Sequence, residues 1–197
     1  MNHTIPALAV SACATTLAFG AAVNHPEAAQ SLNANDLRTG GPTLYTCIEL
    51  QGLESWDGSG DLSNIVIEQF LGIGTEIVGA RWEDVQLSTT GNSFLNEASI
   101  GLNNQVALRV AAADNFSGTG TYTSPGVFDF IANEISYTLD DGMLSLEFFE
   151  TQDDASDTID ARYGGGKLYI YYIPVPAPGS VALLGLAGVA VTRRGRS

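Results

Sequence analysis

The chain has 197 residues, 22 of them acidic and eight basic, with a formal net charge of −14. Every acid lies between Glu27 and Asp160 while Arg193, Arg194 and Arg196 stand among the last five positions, so the middle sets 22 acids against five bases, a net of −17. Such a surface repels nucleic acid and anionic lipid, which need Lys or Arg to neutralise phosphate, and with two cysteines and two histidines, His3 and His25, both near the start, Ser-His-Asp, Cys-His and histidine-zinc chemistry is excluded.

Residues 1–22 read as a signal peptide forming an N-terminal signal helix. Ile5 to Val23 is an almost uncharged run of Ala, Leu, Val and small polar residues, and Gly20-Ala21-Ala22 offers a signal peptidase site. A retained membrane anchor is the competing reading, but Pro6 interrupts the run. Residues 23–42 are polar, small and aperiodic, the composition of a linker.

From residue 43 to 173 the pattern changes to short runs of β-branched and aromatic residues separated by Gly, Asn, Asp and Ser. Strands are expected at 43–50, 64–71, 76–88, 97–102, 105–112, 126–131, 134–139, 143–150 and 167–173. Period-two alternation is clear in Leu144/Leu146/Phe148 and Leu168/Ile170/Tyr172, as a sheet with one buried face requires. The fold class that follows is all-β, an antiparallel β-sandwich or jelly roll of about eight or nine strands. Cys47 reads as a small buried strand residue and Trp82 as a core anchor. The phase of alternation reverses after Trp82, which calls for a bulge near Glu83-Asp84.

Three features of this body invite a functional reading. Trp56 stands between Glu54 and Asp57-Gly58-Ser59-Gly60, where loop packing competes with a ligand-stacking role; a Tyr169/Tyr171 face is a second stacking surface. Glu150, Asp153, Asp154, Asp157 and Asp160 form the densest carboxylate group and could supply hard oxygens to calcium, against the plainer reading of a solvated acidic loop. Glu147 and Glu150 flank Phe148-Phe149 as a hydrolase pair would, but Glu147 alternates out of phase with Leu146 and Phe148, which puts it on the solvent face. No catalytic residues are expected.

Residues 174–197 form a tail of three parts. Pro174, Pro176 and Pro178 keep the first part extended. Gly179 to Thr192 is uncharged and apolar, a single hydrophobic helix, and its fourteen residues would span about 21 Å, short of a ~30 Å hydrocarbon core. Arg193, Arg194 and Arg196 would hold the end on the cytoplasmic side.

The run VPAPGSVALLGLAGVAVTRRGR resembles the PEP-CTERM sorting domain, the tail recognised by exosortases, in its VPAPG form. The resemblance implies a sorting motif of Val175, Pro176, Ala177, Pro178 and Gly179 with Arg193, Arg194 and Arg196, transient membrane insertion, processing near Pro176-Ala177-Pro178, and delivery to the outer surface or extracellular matrix. Ala177 takes the place of the usual glutamate, and Gly195 interrupts the basic cluster. More loosely, WEDVQLSTTGNSFLNEASIGL, DNFSGTGTYTSPGVFDF and DGMLSLEFFETQDDASDTIDARY resemble jelly-roll P-domains attached to bacterial subtilases, domains without activity of their own. The expected function is that of an exported, non-catalytic surface or matrix protein in adhesion, biofilm or envelope structure. Its expected partners are signal peptidase, exosortase, and exopolysaccharide or other surface proteins. The alternative is a calcium-assisted carbohydrate-binding module.

Overall fold

The computed structural model describes residues 43–152 and 158–175. Among these the chain is all-β, with eleven strands and one 3₁₀ turn at Ile131–Asn133. In chain order the strands are β1 (Leu44–Glu49), β2 (Leu53–Ser55), β3 (Ile65–Phe70), β4 (Thr75–Thr89), β5 (Ala98–Leu102), β6 (Val106–Leu108), β7 (Thr119–Tyr122), β8 (Phe128–Asp129), β9 (Thr138–Leu139), β10 (Met143–Glu150) and β11 (Ala161–Ile173). The two helices expected at the chain ends lie outside the described residues.

The strands form two antiparallel sheets. One follows the path β1-β11-β4-β7, with β2 added to β11 and both β8 and β9 to β4; the other follows β3-β10-β5-β6. Their inner faces share a single core. Ile48, Ile77, Val85, Leu87, Leu168 and Ile170 of the first sheet pack with Ile100, Leu102, Leu144, Leu146 and Phe148 of the second. Each such side chain contributes about 1.5–3 kcal/mol by leaving water. Between the layers, the rings of Phe148 and Tyr163 meet edge to face at 5.3 Å.

The alternation in β10 follows the sequence pattern, with Leu144, Leu146 and Phe148 all facing the core. Cys47 is a buried residue of β1, and Trp82 is half-buried against the core opposite Leu168. The bulge after Trp82 is present: the register shifts between Gly165↔Gln86 and Lys167↔Glu83, with Asp84 at φ 50° and Gly166 at φ 99°. Position 166 requires glycine, since a Cβ there would lie 2.4 Å from Val85 Cα.

Other elements depart from the sequence pattern. β11 begins at Ala161, six residues before the expected start, and runs through Gly164-Gly165-Gly166. β2 and β7 lie in segments without a strand-like run. The 105–112, 126–131 and 134–139 runs shorten to Val106–Leu108, Phe128–Asp129 and Thr138–Leu139. Apolar residues left over there, such as Val110 and Tyr137, still reach the core from loops.

Candidate functional site

The densest polar network lies where the Asp57–Asn64 loop folds back over the outer face of β10. Glu147 projects outward there, as its phase in the strand dictates, but it is only 6% exposed because this loop covers it. The expectation of a solvent-facing Glu147 is therefore corrected: strand phase sets the face, and a loop from 83 residues away sets the burial. Its carboxylate accepts from the Gly60 amide, from Ser59 Oγ at 3.1 Å and from Asn64 Nδ2 at 2.9 Å. Asn64 in turn ties the loop to itself, donating to the Gly58 carbonyl at 2.8 Å and accepting from the amides of Trp56 and Asp57. The Ser63 hydroxyl lies 2.6 Å from Asp61 and 2.8 Å from Asp57. That hydroxyl, then the Ser63 amide, hold the Asp61 carboxyl below its ordinary value. Trp56 sits half-buried at the base of this loop.

Glu150 and Asp160 are each 1% exposed and mark the two roots of the acidic segment. Ser55 joins them: its hydroxyl donates to Glu150 at 2.7 Å, and its carbonyl accepts the Asp160 amide at 3.0 Å. Asp160 also accepts from Ser93 Oγ at 3.0 Å. Asp153, Asp154 and Asp157 lie outside the described residues. Among the described residues no three His, Cys, Asp or Glu side chains come together as a metal-holding group. Glu147 and Glu150, three apart on one strand, project from opposite faces of β10, so they do not oppose each other across one cleft.

The outer face of the larger sheet has two unlike halves. Toward one end Tyr171, 1% exposed, packs with Val78 under Tyr45, Tyr169, Val127 and Ile173. Arg81 stacks on the Tyr169 ring at 4.6 Å, and Tyr169 donates to Glu83 at 3.1 Å. Burial pushes the Tyr171 phenol up to about 12. A Tyr169/Tyr171 stacking surface is thereby corrected, because Tyr171 is covered by its own neighbours. The other half is a depression of about 410 Å³ between Gln86, Ser88, Thr119, Thr121 and Gly164, whose side chains are all uncharged. A smaller hollow of about 270 Å³ lies beside the Asp57–Asn64 loop, against Leu62, Val66, Asn103 and Glu147.

Of the sorting residues, Val175 is described and exposed; Pro176, Ala177, Pro178, Gly179, Arg193, Arg194 and Arg196 lie outside the described residues. The structure thus gathers Trp56, Glu150 and Asp160 around Ser55, and beside them it joins Glu147 to Asn64, a residue that the sequence pattern did not single out. The one signal for Asn64 was the Asp57-Gly-Ser-Gly-Asp-Leu-Ser-Asn64 run, dense in residues whose side chains bond nearby backbone. The chain matches no protein-family model, no curated protein and no solved structure.

Proposed function

We propose that this chain is an exported, non-catalytic protein of the cell surface or extracellular matrix, serving adhesion, biofilm or envelope structure. Its body of residues 43–173 is a jelly-roll sandwich. The support for that finer fold is the strand order: with the three shortest outliers set aside, the eight remaining strands interleave as β1-β11-β4-β7 and β3-β10-β5-β6, the winding of two Greek keys. Signal peptidase removes residues 1–22, and the 174–197 tail inserts transiently in the inner membrane for processing by an exosortase. The observation that carries the reading is the succession at the C-terminal end, where β11 stops at Ile173 and the proline triplet, apolar run and arginines follow at once. In this reading Val175–Gly179 is the processing motif, and exopolysaccharide or other surface proteins are the partners outside the cell.

The test is mass spectrometry of the protein recovered from its native host and from an exosortase-deficient strain. The expected mature form begins after residue 22 and ends near Pro176–Pro178, with the uncut tail accumulating in the deficient strain. Recovery of a cytoplasmic protein with both original termini would overturn the proposal.

A calcium-assisted carbohydrate-binding module is the second reading. Ser55 favours it by bringing the two roots of the acidic segment together. A melting temperature indifferent to millimolar calcium and to EDTA would remove it.

A further inference from the structure

We infer that the end of the body from which the tail departs, built by Phe70, Ile73 and Val175, is a lipid-contacting surface that rests on a bilayer of net-neutral, zwitterionic headgroups while the tail is inserted. The inference builds on the proposed tail insertion and adds the face that meets the membrane.

The exit point is fixed by packing. Ile173 pairs with Glu76, and Val175 Cγ2 stands 3.2 Å from where a Cβ on Gly74 would be. Next to it the Phe70 ring, Gly72 and Ile73 crowd the same turn, all within 2.6 Å of a Cβ placed on Gly142. Three large apolar side chains at this one end are left in water: Ile73 is 69% exposed, Phe70 55% and Val175 56%. Val66, 50% exposed, lies farther along the same outer face of β3, beyond Glu68. Apolar groups grouped this way mark a contact surface more than isolated ones do.

Tether length says what covers them. Only Pro176, Ala177 and Pro178 separate Val175 from Gly179, where the apolar run begins. If extended as polyproline, those four steps would reach about 12 Å. As a helix, the run from Gly179 to Thr192 would span about 21 Å, roughly 9 Å short of a ~30 Å hydrocarbon core. With the arginines held at the far interface, this mismatch draws Gly179 inward. Val175 is then left within a few ångströms of the hydrocarbon edge, about the depth of the headgroup layer. A body that close places Ile73 and Phe70 in the interface. Glu68 stands between Val66 and Phe70 on that face of β3, Glu76 pairs with Ile173 at the exit, and Asp140 and Asp141 are exposed on the adjoining turn, so anionic headgroups are repelled and zwitterionic ones accepted.

The test uses the full chain in phosphatidylcholine vesicles with acyl chains brominated or not. Phe70→Trp and Ile73→Trp report contact; Phe116→Trp, also at an exposed position, is the control. Phe116 lies near Gly118, whose carbonyl accepts from Thr89 at the opposite end of β4. After subtraction of the signal from Trp56 and Trp82, bromine quenching at 70 and 73 is expected to be at least twofold that at 116, and weaker when phosphatidylglycerol is mixed in. Carbonate extraction separates the two levels. A chain that resists extraction yet shows equal quenching at all three positions overturns this inference alone, as does a dimer crosslinked through position 70 or 73 without quenching. A chain released by carbonate overturns the tail insertion and this inference with it.

Discussion

Replacing Glu147 by alanine removes the side-chain tie between the Asp57–Asn64 loop and β10, leaving the bond from the Glu150 amide to the Asp57 carbonyl at 3.0 Å. Three donors lose their partner: Ser59 Oγ, the Gly60 amide and Asn64 Nδ2. A hydrogen bond to a charged group is worth about 1.5–3 kcal/mol when the donor cannot find water. Ser59 and Gly60 are exposed and rehydrate as the loop lifts, whereas Asn64 is 8% exposed and keeps only the Gly58 carbonyl for its amide. Removing the carboxylate also removes the cost of burying it. The net loss expected is about 2–3 kcal/mol, or roughly 6–12 °C in melting temperature for a body of this size. Glu147→Gln keeps an acceptor oxygen without the charge and should lose less than half as much. Thermal melts by circular dichroism give the stability, and hydrogen exchange of the Gly60 amide gives the local effect. If Glu147→Ala melts within 1 °C of the parent and Gly60 exchanges at the parent rate, the loop is not held by this carboxylate and the reasoning fails.

The bulge in β11 offers a sharper contrast. Gly166→Ala forces a side chain into a φ of 99° and against Val85 Cα at 2.4 Å, and should cost more than about 2 kcal/mol in urea denaturation. Gly164→Ala, whose added Cβ would meet nothing nearer than 3.5 Å, should stay within about 1 kcal/mol of the parent. Alkaline titration tests the half-buried phenol of Tyr122. Desolvation first, then the hydrogen bond Tyr122 donates to Asp114, push its phenol up to about 12. The folded value exceeds the unfolded one of about 10, so this stabilisation is complete below pH 10 and is lost as pH climbs through 12. Urea midpoints between pH 9 and 12 should fall less steeply in Tyr122→Phe; an identical fall in both proteins would rule out a contribution from this phenol.

How far the fold could be read in advance depended on whether each strand carried its own signal. β10 did, because Leu144, Leu146 and Phe148 alternate with residues of the other face. Trp82 and the bulge beside it did too, since a strand that keeps one face on the core can reverse its phase only by taking in an extra residue. β7 did not: Thr-Gly-Thr-Tyr has one large side chain, and its place is set by pairing with Val85–Ser88 rather than by propensity. The early part of β11 is hidden in the same way, since glycines at 164, 165 and 166 read as a turn until β4 is laid alongside. For the site, the facing of Glu147 was legible and its burial was not. Burial there comes from a loop with no periodicity, held by side-chain bonds to backbone that leave no pattern in hydropathy.

The two ends of the fold differ in charge, and this bears on how so acidic a body could approach a membrane. β4 has fifteen residues and so runs roughly 45 Å from Thr75 to Thr89. At its start lie the exit of the chain at Val175 and the exposed Ile73. Near its end lie Ser93, Asp160 and, through Ser55, Glu150. The roots of the acidic segment are thus several screening lengths of about 8 Å from the exit. At that distance their charge does not oppose a bilayer touching the other end, despite a net charge of −14 for the chain. The acids at the exit end are Glu68 on β3, Glu76 opposite Ile173, and Asp140 and Asp141 on the turn before β10. Headgroup charge at the exit end should therefore be felt by these four residues, and neutralising them should remove the penalty of anionic lipid while changes at Glu150 or Asp160 leave it in place.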